Sequence, residues 1–147
     1  MRVLPILAIC MLIMIAPARA DDAERDTAVM AVLDAFMETF NAQDIDAHLE
    51  TYHFPHVRIA GGEVSVMPSA DAYPRDLYEK RLIPSGWHHS AWIARDIVQA
   101  GPNKVHVATT FRRYREDGST LATYQSLYIV EKLEGRWAVR ARSSFAP

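Results

Sequence analysis

The stretch TYHFPHVRIAGG, residues 51–62, gathers two histidines and an arginine around a proline. Imidazole is the side chain that changes charge near neutral pH, and guanidinium carries a permanent charge on a rigid donor fork. His56 and Arg58 are therefore suited to bind an anion or polarise a carbonyl. His53 and His56 do not form the helical histidine pair of a zinc protease, because Pro55 sits between them and no Glu follows the first His. The histidines, His48, His53, His56, His88, His89 and His106, lack the ligand spacing of a zinc cassette, and neither a metal nor another cofactor is expected.

A second group, Trp87, His88 and His89, lies on a loop leading into the strand that carries Trp92. Side chains alternate along a strand, so the two imidazoles point to opposite faces and at most one joins a pocket. The plainer alternative is a Trp87 plug over the core with both imidazoles in water. Two other chemistries find no support. AGGE lacks the Lys and the following helix of a phosphate loop, and Ser143-Ser144 lack a nucleophile-elbow context.

These side chains need elements to position them. Val29, Val32, Leu33, Phe36, Met37 and Phe40 recur at helical spacing and predict an amphipathic helix from about Ala23 to Ala42. Asp44 can cap a short helix from Ile45 to about Tyr52. From His56 the pattern alternates, and Gly61-Gly62 suits a two-residue hairpin turn. That turn pairs Ile59 with Val64 and Val57 with Val66 on one face, with His56 and Arg58 on the other. Alternation alone leaves open whether the histidine and arginine face a pocket or a dimer surface. Ser69 can open a third helix from about Ala70 to Leu82, and a long strand is expected from Ser90 to about Ala100.

Two more hairpins follow. Three-residue loops at Glu116–Gly118 and Leu133–Gly135 place Val105, Val107, Leu127, Ile129, Val139 and Ala141 on one apolar face. The opposite face then collects His106, Tyr124, Tyr128, Arg140 and Arg142. It reads as a dimer interface, an anion pocket or a wet surface. The first helix needs the apolar face, so layer packing favours the convex, dimer reading.

Residues 1–20 run from a charged start through an apolar stretch to Ala18-Arg19-Ala20, the order of a secretory signal with cleavage after Ala20. A single domain of residues 21–147 results, periplasmic or secreted, with no membrane segment after cleavage. The only cysteine, Cys10, leaves with the leader. Losing Arg2 and Arg19 leaves 14 Lys and Arg against 18 Asp and Glu, a balance that gives no sign of a nucleic-acid footprint, and no nucleic-acid partner is expected.

The order of helix, NAQD, short helix, TYHFPHVRI hairpin, third helix and long strands resembles the nuclear transport factor 2-like superfamily. The chain looks closest to SnoaL-like proteins, and GRWAVRARSSFAP is similar to the end of the association domain of calcium/calmodulin-dependent kinase II. The resemblance implies an α+β, cystatin-like cone: a curved sheet around N-terminal helices, usually dimeric, often with a pocket at the open end. It implies binding of a small, partly apolar molecule in that pocket by a homodimer. A dehydratase, isomerase or cyclase is the alternative, drawing on His56, His88, His106, Tyr124 and Tyr128. An assembly module without ligand is the third. The position of the isomerase base falls at about Ala60, which cannot abstract a proton.

Overall fold

Helix α1 spans Pro17–Asn41 and buries Val29, Leu33 and Phe36 along one stripe. The computed structural model describes residues 17–147; residues 1–16 of the expected leader, Cys10 included, lie outside the described residues. Among the described residues no helix is long and apolar enough to cross a membrane. Asn41 ties the end of α1 to the sheet: its amide nitrogen donates to the Ser90 carbonyl and its oxygen accepts from the Ser90 N–H, both at 2.8 Å. Asp44 caps α2, Ile45–Leu49, by accepting from the Ala47 N–H at 3.0 Å.

Six strands follow: β1 Tyr52–Ala60, β2 Glu63–Met67, β3 His89–Ala100, β4 Lys104–Tyr114, β5 Thr120–Leu133 and β6 Arg136–Ser144. They form one sheet in the order β2-β1-β6-β5-β4-β3, antiparallel except for the β1–β6 pair. β1 starts four residues earlier than the alternation at His56 indicates, and Pro55 lies inside it. The β1–β2 hairpin has the expected register, Val57 with Val66 and Ile59 with Val64. Both Gly61 and Gly62 have positive φ, which the tight turn demands and glycine adopts without strain.

The third helix is not continuous. Residues 70–85 instead form short helical turns at Ala70–Ala72, Tyr78–Leu82 and Ile83–Ser85. Pro74 denies a backbone donor and restrains Tyr73, so the helix cannot run through.

A larger correction concerns β4, β5 and β6. The first turn is the expected three-residue loop, closed by Arg115 N–H to the Ser119 carbonyl at 2.9 Å. One extra residue on β5, Leu121, then shifts the ladder, so Val105 pairs with Val130 and Val107 with Tyr128. The second turn has two residues, Glu134 and Gly135, both with positive φ, and pairs Leu133 with Arg136. Arg140 is a second extra residue, between the Val130–Val139 and Ile129–Ala141 pairs. Leu127 and Ala141 thus lie on the face opposite Val107. The expected His/Tyr/Arg surface is split: His106 sits with Ile129 and Ala141 on the outer face, while Tyr124, Tyr128 and Arg142 share the inner face with Val107 and Phe111.

The core lies between α1 and this inner face, where Val29, Leu33, Phe36, Leu49, Tyr52, Val105, Val107, Tyr128, Val130 and Val139 pack together. Helix on sheet is the stable way to bury one stripe against one sheet face. The packing leaves the wide end of the cone open.

Candidate functional site

The open end holds a cavity of about 610 Å³. One wall is aromatic and apolar, built by Phe36 and Phe40 of α1, Tyr52 of β1, and Tyr73, Leu77 and Leu82 of the helical turns. The other wall carries Arg58 of β1, Arg113 of β4 and Arg142 of β6. Strand alternation brings the arginines inward. Arg113 continues the inner series Val107, Thr109, Phe111, and Arg58 and Arg142 are cross-strand partners.

No Asp or Glu among the described residues lies within ion-pairing distance of these three guanidinium groups. Among the described residues Glu63, exposed, is the one acidic side chain lining the cavity. The arginines lean on rings instead: Arg113 lies 5.2 Å from the Tyr124 ring centre, and Arg142 lies 5.3 Å from Tyr128 and 5.5 Å from Phe111. Arg58 donates to the Pro147 carbonyl at 3.1 Å and Arg142 to Ser144 Oγ at 2.9 Å. Nε of Arg113 and Nε of Arg142 are buried and lack any acceptor. Burial, and then the charge of Arg142, lowers the pKa of Arg58; burial also lowers that of Arg113, with Arg142 and Arg58 adding to it. Grouping half-buried like charges with no carboxylate beside them is unfavourable. An anion in the cavity removes that cost.

The aromatic wall is different. His48 is buried on α2, with Nδ1 3.0 Å from Thr39 Oγ1 and Nε2 3.0 Å from the Tyr52 hydroxyl. Thr39 donates its own hydrogen to the Ala35 carbonyl at 2.7 Å, so it accepts from His48 Nδ1–H. The Tyr52 O–H then donates to His48 Nε2. Every hydrogen of this Thr39–His48–Tyr52 chain has an acceptor within the protein. Burial, with Arg142 adding to it, lowers the His48 pKa to about 4. His56, 2 % exposed, donates Nδ1–H to the Val139 carbonyl at 3.3 Å, and burial lowers its pKa to about 4 as well. Burial pushes Tyr73 up to about 12 and holds Tyr52 well above the ordinary tyrosine range. All four rings are neutral at pH 7.

Of the residues singled out in the sequence, His56, Arg58 and Arg142 line the cavity, and Tyr124 and Tyr128 back its arginines. Trp87 is the plug: 3 % exposed, it packs against Phe40 and donates to Ser90 Oγ at 2.9 Å. Trp92 donates to the Leu33 carbonyl at 3.1 Å and braces α1. His88 is exposed and lies on a separate surface hollow, with its Nδ1 3.0 Å from that of His89. Arg140 donates to the Phe54 carbonyl at 2.7 Å, away from the arginine cluster. Among the described residues no cluster of metal-binding side chains occurs. Arg113, His48 and Tyr52 were missed. For Arg113 the signal was present, since it follows Phe111 at strand period on a face already read as inward.

A family model described as NTF2-like protein (DUF6841) matches residues 23–145. No curated protein matches the chain. Solved structures share its fold. A ketosteroid isomerase-like protein from Erwinia carotovora atroseptica SCRI1043 is 22% identical, with a TM-score of 0.61 over 82% of this chain and 96% of that one. A cystatin-like-fold protein of unknown function from Nostoc punctiforme PCC 73102 is 12% identical, with a TM-score of 0.70 over 85% and 92%. An NTF-2 like protein of unknown function from Shewanella oneidensis MR-1 is 17% identical, with a TM-score of 0.63 over 88% and 99%. These likenesses bear on the α+β cone and leave the chemistry to the cavity itself. By the span of its match, the chain belongs to the NTF2-like family DUF6841.

Proposed function

We propose that the protein binds a small molecule with an apolar body and an anionic group in the cone cavity. One observation carries this reading: the guanidinium groups of Arg58, Arg113 and Arg142 converge on the arginine wall with no Asp or Glu at ion-pairing distance among the described residues, facing a wall of rings. Arginine forks match carboxylate and phosphate oxygens, and few, placed polar groups in an apolar pocket are the usual form of a ligand site. Binding is favoured over acid–base catalysis because both cavity imidazoles are held neutral, with pKa values near 4, far from the range in which a base works at pH 7.

The working form in this proposal is an exported homodimer. Ile59, Val64 and Val66 are exposed on the outer face of the β1–β2 hairpin, and Phe145 stands out at 82% exposed. An apolar band of this kind suits a self-pairing surface. Native mass spectrometry of the purified protein tests it, with a dimer expected and a monomer at micromolar concentration contradicting it.

Isothermal titration with hydrocinnamate and with its primary amide tests the binding reading. The acid is expected to bind at least about tenfold more tightly than the amide, from the charge-assisted bonds it alone makes. Equal affinity for both, or no binding of the acid at millimolar concentration, overturns the proposal.

A further inference from the structure

We infer that His56 makes the cavity selective for hydroxy acids, ligands with a hydroxyl between the anionic group and the apolar body. The inference rests on the anion-binding reading above and names the ligand class for the same site.

His56 stands between the two walls. It shares the inner face of β1 with Arg58, two residues along, about 7 Å away at strand rise. On its other side its ring meets Tyr52 edge-on, with centres 4.4 Å apart. The tautomer follows from its one partner. A carbonyl oxygen only accepts, so the ring nitrogen facing the Val139 carbonyl carries the hydrogen. Arg142, Arg140 and Arg58 all oppose a second proton. Nε2 is left as a bare lone pair in a residue that lines the cavity, with no partner among the described residues.

Tyr52 reinforces the pattern. Its hydrogen is committed to His48, because His48 uses Nδ1–H on Thr39 and Thr39 uses its own hydrogen on Ala35. His56 Nε2 and Tyr52 Oη, on side chains that line the cavity, are therefore acceptors. They call for a donor. An ammonium donor is repelled by Arg58, Arg113 and Arg142, and a keto oxygen would set acceptor against acceptor. A hydroxyl is the neutral donor that fits. Sites built to bond a ligand hydroxyl discriminate strongly against analogues that lack it, because the buried partner is otherwise left unpaired.

Five probes on one skeleton separate these cases: hydrocinnamate, phenyllactate, phenylpyruvate, phenylalanine, and β-hydroxyhydrocinnamate for the second hydroxyl position. At least one hydroxy acid is expected to bind about tenfold or more tightly than hydrocinnamate, phenylpyruvate and phenylalanine. His56→Asn keeps an amide N–H for the Val139 carbonyl and removes the ring acceptor. It is expected to reduce the hydroxyl preference, read as the ratio of hydroxy-acid to hydrocinnamate affinity in the same protein, to near unity. The ¹⁵N resonance of His56 Nε2 gives a readout that needs no variant: it should move from the bare-acceptor position toward a hydrogen-bonded one with the hydroxy acid and stay put with hydrocinnamate. Hydrocinnamate binding as tightly as both hydroxy acids, or a preference that survives in His56→Asn, overturns the inference and leaves the anion site standing. Failure of every acid to bind overturns both.

Discussion

The two walls of the cavity differ in how their polar groups are satisfied. On the aromatic wall, Thr39, His48 and Tyr52 form a closed chain in which each hydrogen has an acceptor within the protein. On the arginine wall, two buried Nε atoms have none, and the charges of Arg58, Arg113 and Arg142 share a small space with no Asp or Glu at ion-pairing distance among the described residues. Proteins satisfy almost all buried polar groups. The aromatic wall meets that rule; the arginine wall breaks it, and the anion of the proposed ligand would complete it. The same contrast explains why the arginines stack on Tyr124, Tyr128 and Phe111: the rings hold them in place without neutralising them.

The contrast is sharpest against pH. His48 and His56 each have a pKa near 4, below the ordinary 6.5, chiefly because burial disfavours the charged ring. As pH falls from about 6.5 to 4, the unfolded chain takes up protons that the folded chain refuses. Stability is therefore full above pH 6.5 and lost across that window, by about 2–3 kcal/mol per ring. Urea unfolding at pH 7.5 and 4.5 should show this loss, and His56→Asn should remove roughly half of the part that the two rings contribute. A loss of equal size in His56→Asn and the parent would break the assignment for that ring.

The next largest effect is Leu33→Ala. Leu33 is fully buried under the aromatic wall, and truncation should cost about 2–5 kcal/mol from lost contacts and a residual cavity. The same variant should leave the arginine wall intact, so any acid binding that survives at low temperature should keep its preference over the amide. Smaller again is Tyr52→Phe. It leaves His48 Nε2 without a donor and should cost about 1–3 kcal/mol in the urea midpoint. A neutral result there would mean that the Thr39–His48–Tyr52 chain does not act as a structural unit.

How far the sequence reveals this difference depends on the strand. In the β1–β2 hairpin, four β-branched residues and a Gly-Gly turn leave a single sensible register, and the structure has it. Asp44 and the α1 stripe were equally plain. In β4–β6 the face assignment failed, because Leu121 and Arg140 each add a residue to one strand and the second turn has two residues where three were expected, and each one-residue shift turns every later side chain over. Nothing in the composition marks these two positions. The burial argument also misled, since both faces carry apolar residues: Val105 and Val107 inside, Leu127 and Ile129 outside. The expectation that imidazole, phenol and guanidinium belong on the convex side assumed a dry inner face. A cone with an open end has a polar one, and there Tyr128 and Arg142 lie. Legible in outline, the cavity needed those shifts to be given Arg142, while Arg58 and Arg113 follow from alternation along their own strands.

One variant tests the central claim most directly, Arg142→Met, followed by both urea unfolding and titration with hydrocinnamate. Methionine keeps an apolar stem against Phe111 and Tyr128 and removes an uncompensated charge. The account predicts stability unchanged or raised and acid affinity reduced by about tenfold or more. A protein destabilised by more than about 1 kcal/mol that still binds the acid as before would show Arg142 to be a structural residue and contradict the account.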